Sequence, residues 1–155
     1  MLVIYLLNVL YLGHMVPTKG MKESMEAWQQ LRPQGWRLRL AGQGSAAYQK
    51  ELLGIVGPDA GVEFLGDLPP EMAWRCMQAA DLFVLPTYTE GFPNVILEAM
   101  AAGKAIISTR VGAIPEMLAV DENESCGLVI APRDAGALVA ALRRRRTCTT
   151  IQSFC

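Results

Sequence analysis

Two carboxylates, Glu90 and Glu98, bracket the run GFPNVIL within the stretch TEGFPNVILEAMAAG at residues 89–103. Pro93 stands where a first helical turn accepts proline and Gly103 where a helix ordinarily stops, so the sequence predicts a helix from Pro93 to Ala102. Val95, Ile96, Leu97, Ala99, Met100, Ala101 and Ala102 make that helix apolar on nearly every side, which predicts burial all round. A buried carboxylate without donors is costly or takes up a proton, and the helix has no Arg or Lys to serve Glu98. Glu90, beside Gly91 just ahead of the helix, lies where free N–H groups and the helix dipole favour anions. A ligand with phosphate at the helix start and hydroxyl groups on either side would satisfy both acids, and a nucleoside diphosphate sugar has that outline. The competing chemistry is the acid/base pair of a glycoside hydrolase, which needs no phosphate-gripping helix.

Other residues could hold phosphate. Lys19-Gly20, after GHMVPT, opens a predicted helix Lys19–Leu31, and a lysine beside free N–H groups makes an anion grip. A merely solvated lysine fits the spacing equally well. His14 is the sole histidine, and a lone histidine at a strand end is more often a packing or hydrogen-bonding residue than a catalyst. Gly42-Gln43-Gly44-Ser45-Ala46-Ala47 follows a strand and precedes a helix, with Asp67 at the ~20-residue separation of a ribose-binding acid. That pattern is a dinucleotide fingerprint and would make the chain an NAD-type oxidoreductase. It falls on the second strand unit rather than the first, and a tight glycine turn explains it as well.

These residues need a scaffold. Apolar runs at 9–13, 37–42, 62–66, 81–86, 105–110 and 127–130 alternate with helical stretches. The helical stretches are Lys19–Leu31, Ser45–Val56, Pro69–Ala79, Pro93–Ala102, Ile114–Ala119 and Asp134–Leu142. Such alternation predicts an α/β fold, a parallel sheet with helices on both faces, and no repeat marks a solenoid. Gly13, Gly42, Gly66 and Pro86 end strands at the carboxyl edge, where open parallel sheets bind ligands.

Composition narrows the class. The 155 residues suffice for one domain, and 52% hydrophobic with 19% charged residues describes a globular chain. A formal net charge of -1 speaks against a general nucleic-acid binder. Cys76, Cys126, Cys148 and Cys155 have no metal-ligand spacing and read as thiols in a reducing compartment. The opening MLVIYLLNVLYLG is shorter than the ~20 residues of a membrane span and lacks the features of a signal peptide. Met1–Leu7 reads as a lead-in, with a membrane-interface or partner contact as the alternative; a bare apolar start also fits a piece of a longer protein. The chain divides into a domain at 1–142 and a basic tail at 143–155, RRRRTCTTIQSFC. The tail is expected to be irregular, a solvated or non-native end, with a nucleic-acid or membrane-surface patch as the alternative.

EGFPNVILE resembles the E-x7-E signature of the group 1 (family-4 type) retaining glycosyltransferases, with Glu90 and Glu98 at its ends. The likeness continues through EAMAAGKAIISTRVGAIPEML, and upstream through ADLFVLPTYTEGF, FLGDLP, LRLAGQG and YLGHMVPTKG, covering residues 9–142 in order. It implies one half of a GT-B architecture, in which two Rossmann-like, doubly wound domains face each other across a cleft, and this chain resembles the second, donor-binding half. The resemblance implies donor-sugar contact and the catalytic role for Glu90, and ribose contact for Glu98. Gly91, Phe92, Asn94 and Val95 would approach sugar and phosphates, Lys19 and the His14 position would meet the pyrophosphate, and Gly66–Leu68 would border the base beside the Gly42 turn. It also implies retaining transfer of a hexosyl group from a UDP or GDP sugar without metal or other cofactor, because basic side chains and a helix dipole stabilise the leaving diphosphate. A cytoplasmic location is implied, with peripheral association at the inner face of the membrane as a variant of it. The sequence departs from the family at His14, where arginine is usual, and in having no counterpart of the acceptor-binding domain. The chain alone is therefore expected to bind donor without turning over, with a non-catalytic nucleotide-binding module as the alternative beside the NAD-type oxidoreductase.

Overall fold

The computed structural model describes residues 7–120 and 125–147. Six strands, β1 Leu7–Leu12, β2 Trp36–Ala41, β3 Val62–Gly66, β4 Leu82–Leu85, β5 Ala105–Thr109 and β6 Leu128–Ile130, form one sheet in the order β3-β2-β1-β4-β5-β6. Every pairing is parallel. The six apolar runs are thus the six strands, with only their ends displaced. Chain order reverses between β1 and β4, which makes the carboxyl edge of these two strands the switch point of the sheet, where open parallel sheets bind ligands.

The helices are α1 Met21–Leu31, α2 Ala46–Val56, α3 Pro70–Ala79, α4 Asn94–Ala101, α5 Ile114–Met117 and α6 Ala135–Thr147. Central β4, Leu-Phe-Val-Leu, is buried at every residue, as a strand covered on both faces must be. Nearer the edge, β2 alternates buried Leu38 and Leu40 with Arg37 and Arg39, which pair with Glu63 on β3.

Three expectations need correction. The predicted helix Lys19–Leu31 is broken at Gly20: Pro17–Lys19 form a short 3-10 turn, and α1 starts only at Met21. Gly20 has φ 72°, and a Cβ there would lie 1.8 Å from the Pro86 carbonyl oxygen, so the β1 loop is pressed onto the β4 loop at a point only glycine fits. The stretch Ile114–Ala119 stops being helical at Met117, ahead of Ala119 with φ 50°.

The basic tail is not irregular from residue 143. Helix α6 runs to Thr147, because arginine is a good helix former and Leu138, Val139, Ala141 and Leu142 anchor the helix in the core beside α1. The rest of that tail, 148–155, and residues 1–6 of the apolar opening lie outside the described residues. Among the described residues, no helix is long and apolar enough to cross a membrane.

Candidate functional site

The two loops at the switch point are stitched together. Tyr88 N–H donates to the Thr18 carbonyl at 2.8 Å, alongside the Gly20–Pro86 contact. From below, Ser108 Oγ donates to the Leu85 carbonyl at 2.8 Å and Thr109 Oγ1 to the Thr87 carbonyl at 2.6 Å. The buried Tyr11 hydroxyl donates to the His14 carbonyl at 2.6 Å and so fixes the start of the β1 loop. Burial, and then the charge of Glu90, push the Tyr11 phenol well above its ordinary range.

This stitching brings Lys19 and Glu90 together. Lys19 Nζ donates to Glu90 Oε1, with side chains 24% and 16% exposed. Thr87 Oγ1 lies 3.4 Å from the same carboxylate oxygen. The Glu90 turn is also held from the β5 side: a Cβ on Gly112 (φ 52°) would come within 2.0 Å of the Glu90 carbonyl oxygen, and Ala113 N–H donates to the Gly91 carbonyl at 2.9 Å. Gly91 differs from these glycines. A Cβ there would meet nothing within 4 Å, so the protein's own packing does not require glycine.

Helix α4 starts immediately beyond, with Pro93 at its N-cap and no side chain capping it. Ile96 N–H turns back to the Pro93 carbonyl at 3.0 Å, and the N–H groups of Asn94 and Val95 have no side-chain acceptor, a setting that favours anions. By contrast, Ser45 Oγ caps α2 by accepting from Tyr48 N–H at 3.1 Å.

Burial of α4 on all sides is not what the structure shows. Ile96 and Ala99 are buried, but Asn94, Leu97, Glu98 and Ala101 form an exposed stripe that begins beside the Glu90 turn. Leu97 is 44% and Phe92 59% exposed. Glu98 thus rests in water at no desolvation cost, and the premise that burial demands a partner for it fails. Glu90 does have a partner, Lys19, supplied by the other loop. The remaining site positions lie at the same edge: Val95 half-buried behind Asn94, and Leu68 and Gly42 beside a cavity of about 320 Å³ over β1, β2 and β3. His14 is exposed at the rim of that cavity, and no hydrogen bond joins its ring to Lys19 or Glu90.

The dinucleotide fingerprint has a structural explanation. A Cβ on Gly42 would fall 1.8 Å from the Gly13 carbonyl oxygen, and one on Gly44 would fall 2.8 Å from Met15 Cβ, so both glycines let the β1 and β2 loops close on each other. The turn follows β2, away from the switch point.

Sequence reasoning missed a second clamp on the Glu90 loop. The Tyr88 hydroxyl donates to the Glu23 carboxylate of α1, 2.6 Å from Oε2, and the Arg133 guanidinium stands 4.6 Å over the Tyr88 ring. Burial and then the Glu23 hydrogen bond push the Tyr88 phenol up to about 12. Nothing in the local pattern joins positions so far apart in the chain.

A doubly wound parallel sheet with an ion pair and a helix start without a side-chain cap at its switch point is the arrangement of a Rossmann-like domain. The family model for Glycosyl transferases group 1 matches residues 7–146, and the chain belongs to that family. It is 32% identical over 134 residues to the putative teichuronic acid biosynthesis glycosyltransferase TuaC of Bacillus subtilis (strain 168), a match covering 86% of this chain and 31% of that protein. Anabaena Alr3699/HepE, solved in complex with UDP-glucose, shares the fold at TM-score 0.79 and 25% identity over 94% of this chain and 40% of its own. The C-terminal domain of a group 1 family glycosyl transferase (LpcC) from Francisella tularensis matches at TM-score 0.79 and 25% identity, covering 94% of this chain and 77% of that one. The chain spans about a third of the length of the curated relatives it matches.

Proposed function

We propose that this chain is the C-terminal, donor-binding half of a retaining GT-B glycosyltransferase, which moves a hexosyl group from a nucleoside diphosphate sugar to an acceptor held by a separate domain. The observation that carries the reading is the Lys19–Glu90 pair at the switch point, next to the uncapped start of α4 and the open space over Gly91. In this reading the diphosphate sits at the α4 N-terminus near Asn94 and Val95, approached closely over Gly91 and Phe92. Lys19, with His14 at the β1 loop, neutralises it, and Glu90 takes sugar hydroxyls. Glu98, on the open stripe of the same helix, accepts from ribose hydroxyls, and the base lies at Gly66–Leu68 near Gly42. As the sugar leaves, negative charge grows on the diphosphate, and the lysine and helix dipole stabilise it there without a metal ion. Action in a reducing compartment such as the cytoplasm accords with the free thiols at Cys76 and Cys126, and association with the inner face of the membrane is part of the same reading.

The test is a thermal-shift panel of UDP, GDP, ADP and NAD. A ligand at 100 times its Kd stabilises by ~2.7 kcal/mol, which separates binders from non-binders. Stabilisation by NAD and by no nucleoside diphosphate would overturn the reading. Because Glu98 is exposed, Glu98→Gln should leave the melting temperature unchanged while weakening nucleoside diphosphate binding by ~1.5 kcal/mol, the lower end for a hydrogen bond to a charged group. Unchanged affinity for every nucleotide the parent binds removes Glu98 from the ribose site.

A further inference from the structure

The cavity over β1, β2 and β3 has walls of backbone and small or apolar side chains, among them Gly13, Gly42, Leu68 and Ala73. Besides His14 at its rim, the polar side chains lining it are Gln43 and Asp67. These two meet across neighbouring strand ends, where Gln43 Nε2 donates to Asp67 Oδ2 at 3.0 Å. No lysine or arginine among the described residues pairs with Asp67. The carboxylate is thus oriented by one neutral amide and keeps spare acceptor capacity at a cavity walled mostly by backbone and small or apolar side chains. A carboxylate accepts and cannot donate, so it discriminates between ligand edges by their donors.

We propose that Asp67, oriented by Gln43, reads the nucleobase of the donor and selects guanine. This inference rests on the nucleotide-sugar reading of the site. Guanine presents two adjacent donors, N1–H and an N2–H, spaced to engage both oxygens of one carboxylate. Four lone-pair positions leave Gln43 its own place on Oδ2. Uracil presents a single N3–H flanked by two carbonyl oxygens, which would face the second carboxylate oxygen lone pair to lone pair. Adenine sets its N6 donor beside an N1 acceptor and meets the same repulsion.

Calorimetric titration of the 155-residue chain with GDP, UDP and ADP tests the assignment. The parent should bind GDP at least about tenfold more tightly than UDP or ADP, since a paired set of charge-assisted bonds exceeds the free energy of one decade in Kd. Asp67→Asn should cost GDP about that factor and leave UDP within about twofold, with an unchanged melting temperature because the side chain is exposed. Gln43→Ala should reduce the GDP preference without abolishing it. Equal or tighter UDP binding by the parent overturns the base assignment alone, as does an Asp67→Asn variant that weakens all three nucleotides equally. Failure of every nucleotide to bind overturns the nucleotide-sugar reading and the base assignment with it.

Discussion

Glu90→Gln and Lys19→Met, made singly and together, isolate the ion pair at the switch point. With 24% and 16% of its side chains exposed, the pair lies between two regimes. Exposed pairs contribute ~0.2–1 kcal/mol, whereas breaking a fully buried pair costs ~3–5 kcal/mol. An intermediate ~1–2 kcal/mol per single substitution is expected, which for a chain of this size lowers Tm by roughly 3–6 °C. The two substitutions should then diverge in binding. In the ligand-free protein the Lys19 ammonium is engaged by Glu90, so a diphosphate must share it and also approach a carboxylate of like charge. Two unit charges ~6 Å apart interact by about 3 kcal/mol at an effective dielectric constant of 20, before screening and partial exposure reduce it to ~1 kcal/mol. Glu90→Gln should therefore tighten binding of a bare nucleoside diphosphate about fivefold. Lys19→Met should weaken it by a similar factor or more. For the nucleotide sugar, Glu90→Gln should lose that gain, because the sugar hydroxyls lose their charged acceptor. Calorimetry with both ligands on all four proteins reads these terms directly. If Glu90→Gln weakens the bare diphosphate and the nucleotide sugar by the same factor, Glu90 serves to hold the lysine and has no separate role at the sugar. If the stability effects add within about 0.3–0.5 kcal/mol, the pair is not coupled in solution.

Two glycines at the site should respond in opposite ways. Gly20→Ala, with φ 72° and a Cβ 1.8 Å from the Pro86 carbonyl oxygen, should destabilise by about 2–4 kcal/mol in chemical denaturation. Gly91→Ala should stay within ~0.5 kcal/mol of the parent yet weaken nucleotide-sugar binding, and unaltered binding would show that no ligand approaches Gly91. The Tyr88 phenol, raised from 10.0 to about 12 in the folded protein, contributes stability that is complete below pH 10 and lost as pH rises to 12, because the unfolded chain releases its proton first. Denaturation midpoints should fall across that window less steeply in Tyr88→Phe than in the parent; Tyr11, raised as well, keeps the variant's slope from vanishing. Parallel slopes would show that burial and the Glu23 hydrogen bond do not hold the Tyr88 proton in solution.

What the sequence made legible was local. Period and turn residues located all six strands, and Ser45 and Gly103 marked helix ends, because each depends on a few neighbouring residues. What it hid was set by strand order. Lys19 meets Glu90, and Glu23 meets Tyr88, only because β1 and β4 are neighbours, a pairing absent from any window of the sequence. Gly20 shows the same limit, since the close approach that breaks the predicted helix comes from Pro86 on the other strand. In two places composition does not give location. Arginines 143–146 continue α6 because a charged run on a helix anchored by Leu138 and Leu142 has no reason to unwind. The apolar composition of α4 predicts burial, yet apolar side chains supply much of any protein surface, and the inference from apolar to inside runs only one way. That second failure falls beside the site. Phe92 and Leu97 lie open along the helix whose uncapped start adjoins Glu90, and disagreement between local rules and the final fold gathers where a surface is kept for a ligand rather than for packing.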